Sequence, residues 1–357
     1  MSEEQLMVFL SRETTLEELG DEALLHSCPS FGEAVGEAIN SGNLIPFTLE
    51  LSGRLGEMDL YKACLLSNLI GFACEKEGDT SAGRGVIELF SAVCTQVYEM
   101  FQGAKAKGEC ELPPEVTELY KENARQARAY CGFNILCVST MAFLTRDVAL
   151  RQLLAGMGLE EKITYLSEEA PESPYLKSVT YVDSMLKTCS DLKLLVLQPE
   201  KRQGFLATAN DLNNCFHLLF LLEEQIAESL GHKYGLESFP AAASLIRLAH
   251  GEYPEEAWAE SYNTAFVECN YNTADHAEFR NEDAMALIWG EMPPDCIPTV
   301  DGRAVIVLFE GGLRRGFDAS FLFVPHNALR PYVRLEGELT EQEYGTWLAK
   351  INEAMKR

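Results

Sequence analysis

The chain has 357 residues, 47% of them apolar and 24% charged, which is the mix of a folded globular protein and not of a disordered one. At that length it can bury roughly three quarters of the surface that its unfolded form exposes, so it needs neither disulfides nor a structural metal to fold. With 55 acidic against 29 basic residues its net charge is −26, a field that repels nucleic-acid phosphates and anionic membranes and argues against both as partners.

The first half predicts helix after helix. Thr15-Leu16-Glu17-Glu18 has the form of a capping box and opens a short helix, after which Gly42-Asn43 and the Pro46 region break the pattern. Asp59–Lys76 is apolar on nearly every side, as expected of a central helix. Asp79-Thr80-Ser81 supplies caps for the next one, in which Val86, Phe90, Val93, Val97 and Met100 recur at three- and four-residue steps. The glycine-rich Ser81–Gly85 reads as a turn into that helix, because no strand precedes it. Pro113-Pro114 opens a helix from Glu115 to about Leu144. Its most apolar part, Tyr130–Leu144, is shorter than the ~20 residues of a membrane span and reads as buried core. Shorter helices follow at Asp147–Ala155 and Glu160–Glu168, and Ser173-Pro174 has the form of a cap plus first helical residue for one reaching Ser190.

Near residue 191 the pattern changes. Leu192–Leu197 is the first convincing strand, followed by a helix from about Asp211 to Ser229 and two more near Ala241–His250 and Glu255–Cys269. The strongest strands come late, at Ala304–Phe309, Ala319–Val324 and Tyr332–Leu335, each bounded by Gly or Pro. Thr340-Glu341-Gln342-Glu343 is a second capping box and starts a C-terminal helix. The expected fold is α+β and predominantly helical: a large all-α part over 1–190, then a part over 191–357 with a small, mostly antiparallel sheet and flanking helices. No linker marks the boundary, so one continuous fold stays open as the alternative.

Eleven cysteines are scattered with no Cys-x-x-Cys pair, and several lie inside apolar helical runs where a thiol acts as a small hydrophobe. A reducing cytoplasm is the expected location, and Met1–Arg12 has no basic or strongly apolar leader character.

Few constellations suggest chemistry. His276-Ala277-Glu278 matches the first half of a zinc-deaminase signature. In the second half Asp295 separates Pro294 from Cys296, and Thr299 stands where the second cysteine belongs. Asp275, His276, Glu278 and Glu282 are the metal candidates, several of them at helical spacing, with His276 and Glu278 doubling as acid–base candidates. Arg314 and Arg315, in a glycine-rich loop between strands, could grip a carboxylate or phosphate. No cofactor motif is present. His217 within CFHLLFLLEE reads as a core or helix-face residue.

Two zones are strongly acidic: residues 1–50 hold ten Asp/Glu against Arg12 alone, and residues 251–300 hold eleven against Arg280 alone. The first functional expectation is therefore an acidic cytosolic interaction module, an adaptor, regulator or immunity-like inhibitor that binds a protein with a basic surface. The alternative is an enzyme or small-anion binder using Arg314 and Arg315 with His276 and Glu278.

Overall fold

The structure is a computed structural model that describes residues 3–107, 113–236, 239–252, 264–274, 287–309 and 314–354. The chain divides into two compact units, Met1–Leu186 and Lys187–Arg357. The first is helical and the second α+β, as the residue patterns predict.

The helical unit opens with α1 (Glu3–Ser11), α2 (Pro29–Asn40) and α3 (Leu44–Gly53). The capping box at Thr15–Glu18 forms, but it caps a single 3-10 turn. Pro46 does not break a helix. It sits in the first turn of α3, where its missing N–H has no partner to lose.

Three long helices form the centre: α4 (Leu60–Glu77), α5 (Gly83–Lys107) and α6 (Val116–Leu144). Asp59 caps α4 by accepting the Lys62 N–H at 3.2 Å. A Cβ on Gly132 would lie 2.7 Å from the Cys64 Cβ, and one on Gly71 would lie 3.1 Å from the Ser139 Cα. Both contacts have the same offset along the two helices, so α4 and α6 run parallel along a seam that small residues keep narrow. The predicted stripe on α5, Val86 to Met100, is buried throughout. Gly85 lets α5 approach the backbone of Ser52 on α3, which accounts for that glycine by packing. α6 is long and apolar enough to cross a membrane, yet 83% of its most apolar window is buried within the protein. It is interrupted at Asn123 (φ −152°, ψ 87°), whose side chain accepts the Gln126 N–H and restarts the helix.

The unit closes with α7 (Val148–Ala155), capped by Asp147, then α8 (Glu160–Thr164), which widens into a π turn, and α9 (Val179–Leu186). The helix expected from Ser173 starts later, at Val179. Ser173 Oγ instead bonds Tyr130 Oη at 2.6 Å and takes the Tyr175 N–H, while the Ser178 N–H goes to Asn134 of α6. The donors of that turn are thereby committed to local and tertiary partners.

The second unit runs β1 (Leu192–Gln198), β2 (Gln203–Asn210), α10 (Cys215–Tyr234), α11 (Ala243–Ala249), β3 (Thr264–Val267), β4 (Asn270–Thr273), β5 (Thr299–Val300), β6 (Arg303–Phe309), β7 (Arg315–Asp318), β8 (Tyr332–Glu338) and α12 (Glu341–Ala354). The main sheet has the order β4-β6-β1-β2-β8, with β5 also on β6, and β3 pairs with β7 as a separate ribbon. Pairing is antiparallel except between β1 and β6, so the sheet is mixed.

Leu194, Val196, Ala304, Ile306 and Leu308 face the core that contains α10 and α11, while Leu195, Leu197, Val305, Val307 and Phe309 face α12. Burial on both faces explains why β1 and β6 read as unbroken apolar runs. Two expectations are corrected here. Ala319–Leu322 is a 3-10 turn started by Asp318, which accepts the Ser320 N–H at 2.8 Å, and not a strand. Residues 264–267, expected to be helical, form β3 against β7.

Candidate functional site

Asp275, His276, Glu278 and Glu282 lie outside the described residues. Cys296 is exposed on a 3-10 turn, and among the described residues no group of three His, Cys, Asp or Glu could hold a metal.

The two arginines do not act as one clamp. Arg314 is exposed, stacks 3.7 Å over the Phe266 ring and pairs with Glu268 at 2.9 Å. Arg315, the first residue of β7, is turned inward and donates from Nη1 to the Ile288 carbonyl at 2.6 Å. Its Nε and Nη2 are buried and have no hydrogen-bond partner among the described residues.

Around Arg315 the α+β unit assembles a polar cluster inside its core. The N-terminus of α10 is held by the 287–292 loop: the Cys215 N–H donates to the Met292 carbonyl and the Phe216 N–H to the Gly290 carbonyl, both at 2.8 Å. Two turns further on, Glu223 is fully buried. Its Oε1 accepts the N–H groups of Glu268 and Cys269 at 2.8 Å each, and its Oε2 accepts that of Glu268 at 2.9 Å. Glu223 thus pins the link between β3 and β4. Burial pushes its carboxyl up to about 7 against the pull of those N–H groups.

Tyr271, on β4, is fully buried beside the Glu223 carboxyl, and burial together with that carboxylate pushes its hydroxyl pKa well up. Burial depresses the Arg315 guanidinium, and Tyr271, Glu223, Cys215 and Glu291 partly offset that. His217 shares the core. Its Nε2 lies 2.6 Å from the Ala249 carbonyl, which selects the tautomer with the proton on Nε2, and burial lowers its pKa to about 4, so it stays neutral.

The helical unit contains a second polar cluster. Lys62 is fully buried and donates from Nζ to the carbonyls of Phe9 (2.9 Å) and Arg12 (2.6 Å), with the Phe9 ring 4.6 Å away. Asp59 accepts from the Thr14 N–H, the Thr14 hydroxyl and the Lys62 N–H, and lies 3.5 Å from Arg128. Arg128 in turn donates to the Thr14 carbonyl and to Glu13. The cluster fastens residues 9–14 to α4 and α6. Beside it lies an open cleft of ≈ 750 Å³ whose charged lining includes Arg84, Arg125 and Arg128 as well as Glu13, Asp59 and Glu88. Arg84 and Arg128 already have carboxylate partners.

Sequence reasoning reads His217 as a core or helix-face residue, and it lies in the core. It misses Glu223, Tyr271, Asp59, Lys62 and Arg128 as members of buried clusters. The signal for Lys62 and Glu223 is a charge inside a run that is otherwise apolar on every side, a position where charge needs partners. Nothing local marks Tyr271.

Comparison with known protein-family models, with curated proteins and with solved structures returns no match for this chain.

Proposed function

We propose that this chain is an acidic protein-interaction module whose partner presents a basic surface. One observation carries the reading: the surface over residues 8–50 combines exposed negative charge with exposed apolar side chains. Glu17, Asp21, Glu22, Glu33, Glu37 and Glu50 are all exposed, while the one cation of that stretch, Arg12, is engaged by Glu18. Among them stand Val8, Ile39 and Leu49, exposed by 65%, 45% and 45%. Apolar anchors within a charged surround are what an interface uses, burial supplying affinity and charge supplying encounter rate and choice of partner. A reducing cytoplasm suits the described cysteines, which form no disulfide and are mostly buried.

The test is to isolate the partner from the host on the intact protein and then measure association with wild type and with a Glu33→Lys/Glu37→Lys variant. The association rate is expected to fall about tenfold from low to physiological ionic strength, and the variant to mimic that loss at low salt. An association rate indifferent to both salt and charge reversal would remove the acidic surface from the contact.

A further inference from the structure

We propose that the open cleft of the helical unit binds a small amphipathic monocarboxylate, an apolar body whose single acidic group pairs with Arg125. The cleft lies where α3, the start of α4, the first turns of α5 and the Arg125–Arg128 turn of α6 meet. Its volume of ≈ 750 Å³ falls within the range of small-ligand sites, about 300–1,000 Å³. The wall is mixed: Leu49, Leu60, Leu89 and Ala92 are apolar, and the charged groups are three arginines and three carboxylates.

Those charges sort into matched sets with one cation left over. Arg84 pairs with Glu88 at 2.9 Å, and Arg128 with Glu13 at 2.9 Å. Asp59 lies 3.5 Å from Arg128 and also helps to keep the buried Lys62 ammonium charged. Four cations thus face three carboxylates, and the surplus sits on Arg125. Its side chain is exposed and has no hydrogen-bond or ion-pair partner among the described residues. The local fold does not ask for a cation there. Arg125 stands two residues after Asn123, in the first turn of the restarted α6, where the helix dipole favours an acid and opposes a cation. A carboxylate that reaches Arg125 relieves that conflict and can take two guanidinium N–H groups in parallel.

Charge and wall together select the class. A dianion would bring a second negative charge into a cleft that already holds Glu13, Asp59 and Glu88. A bare small anion would leave the apolar wall in water, whereas an apolar body gains by covering it.

The experiment uses the full chain with 2-naphthoate as probe and with acetate and inorganic phosphate as comparators, all at constant ionic strength, read by calorimetric titration. Saturable binding of 2-naphthoate is expected, with acetate and phosphate at least tenfold weaker. Arg125→Ala removes the surplus cation and should weaken 2-naphthoate at least tenfold, about 1.4 kcal/mol. Gly53→Leu fills the cleft from its lining. A Cβ at Gly53 meets open space, unlike one at Gly85, so this variant should also cost at least tenfold. Both positions are exposed, and both variants should keep the circular dichroism of wild type. The proposal is overturned if 2-naphthoate does not saturate, if acetate or phosphate binds as well, or if either variant binds it as wild type does. Leu49 belongs both to this cleft and to the proposed contact surface. The readout needs no partner protein, however, and the variants leave the acidic residues in place, so either reading can fail alone.

Discussion

Lys62 in the helical unit and Arg315 in the α+β unit are cations held largely away from water, and the chain treats them in opposite ways. The Lys62 ammonium meets two main-chain carbonyls and an aromatic ring, and the neighbouring Asp59 and Arg128 are matched to the Thr14 backbone and to each other. Arg315 has one carbonyl and an open edge. A cation matched to backbone carbonyls fastens distant segments of chain together, and its removal leaves those segments unsatisfied. A cation with fewer matched partners contributes less to the fold that holds it.

Three variants sharpen or break this contrast. The largest effect is expected from Asp59→Ala, which takes three donors' acceptor away and leaves Arg128 short of a buried counter-charge. Stability should fall by about 3–5 kcal/mol in urea unfolding, and a loss below about 1 kcal/mol would mean that the first cluster does not fasten the N-terminal segment.

Next comes the pH dependence set by Glu223 and His217. Burial raises the Glu223 carboxyl from 4.5 to about 7, so between those values the folded form keeps a proton that the unfolded form releases. Its stability contribution is complete below pH 4.5 and is lost as pH rises to about 7. Burial lowers the His217 imidazole from 6.5 to about 4, so its contribution is complete above pH 6.5 and is lost as pH falls to about 4. Each is worth on the order of 3 kcal/mol, and between pH 4.5 and 6.5 their slopes oppose. Glu223→Gln should uncover a stability that climbs with pH across that window, measured by urea unfolding at several pH values. An unchanged profile would mean that Glu223 does not titrate there.

The smallest effect is expected from Arg315→Met, which exchanges an incompletely paired cation for an apolar chain of similar reach. Stability should stay within about 1 kcal/mol of wild type, with the orphaned Ile288 carbonyl as the main cost. A loss as large as that of Asp59→Ala would put Arg315 among the fastening residues and end the contrast.

The helical core was legible because its cause is periodic. The stripe on α5 and the all-round apolar character of α4 can be read from spacing alone, and β1 and β6 declare themselves by unbroken apolar runs. β2 escaped because Gln203–Asn210 carries Gly, Ala, Thr and Asn, and owes its strand to the neighbours on both sides, β1 and β8. The segment 319–324 misled because its apolar residues pack as a turn below β7, where the Asp318 cap outweighs β propensity. The inner cluster was half legible. Arg315 could be named from its loop, but Glu223, Tyr271 and Ile288 are brought to it by the fold from separate parts of the sequence. Which edge of a guanidinium stays open is a property of that meeting.

The narrow seam between α4 and α6 has a chemical corollary. Cys64 is pressed against Gly132, and burial raises the thiol pKa values of Cys64, Cys94 and Cys137, that of Cys94 to about 12. Such thiols offer almost no thiolate and no approach, whereas Cys296 stands exposed on its turn. An alkylating reagent will mark Cys296 at once and reach the seam only in the moments when the helices part. The cysteines thus time the opening of the helical core from within, without any added probe.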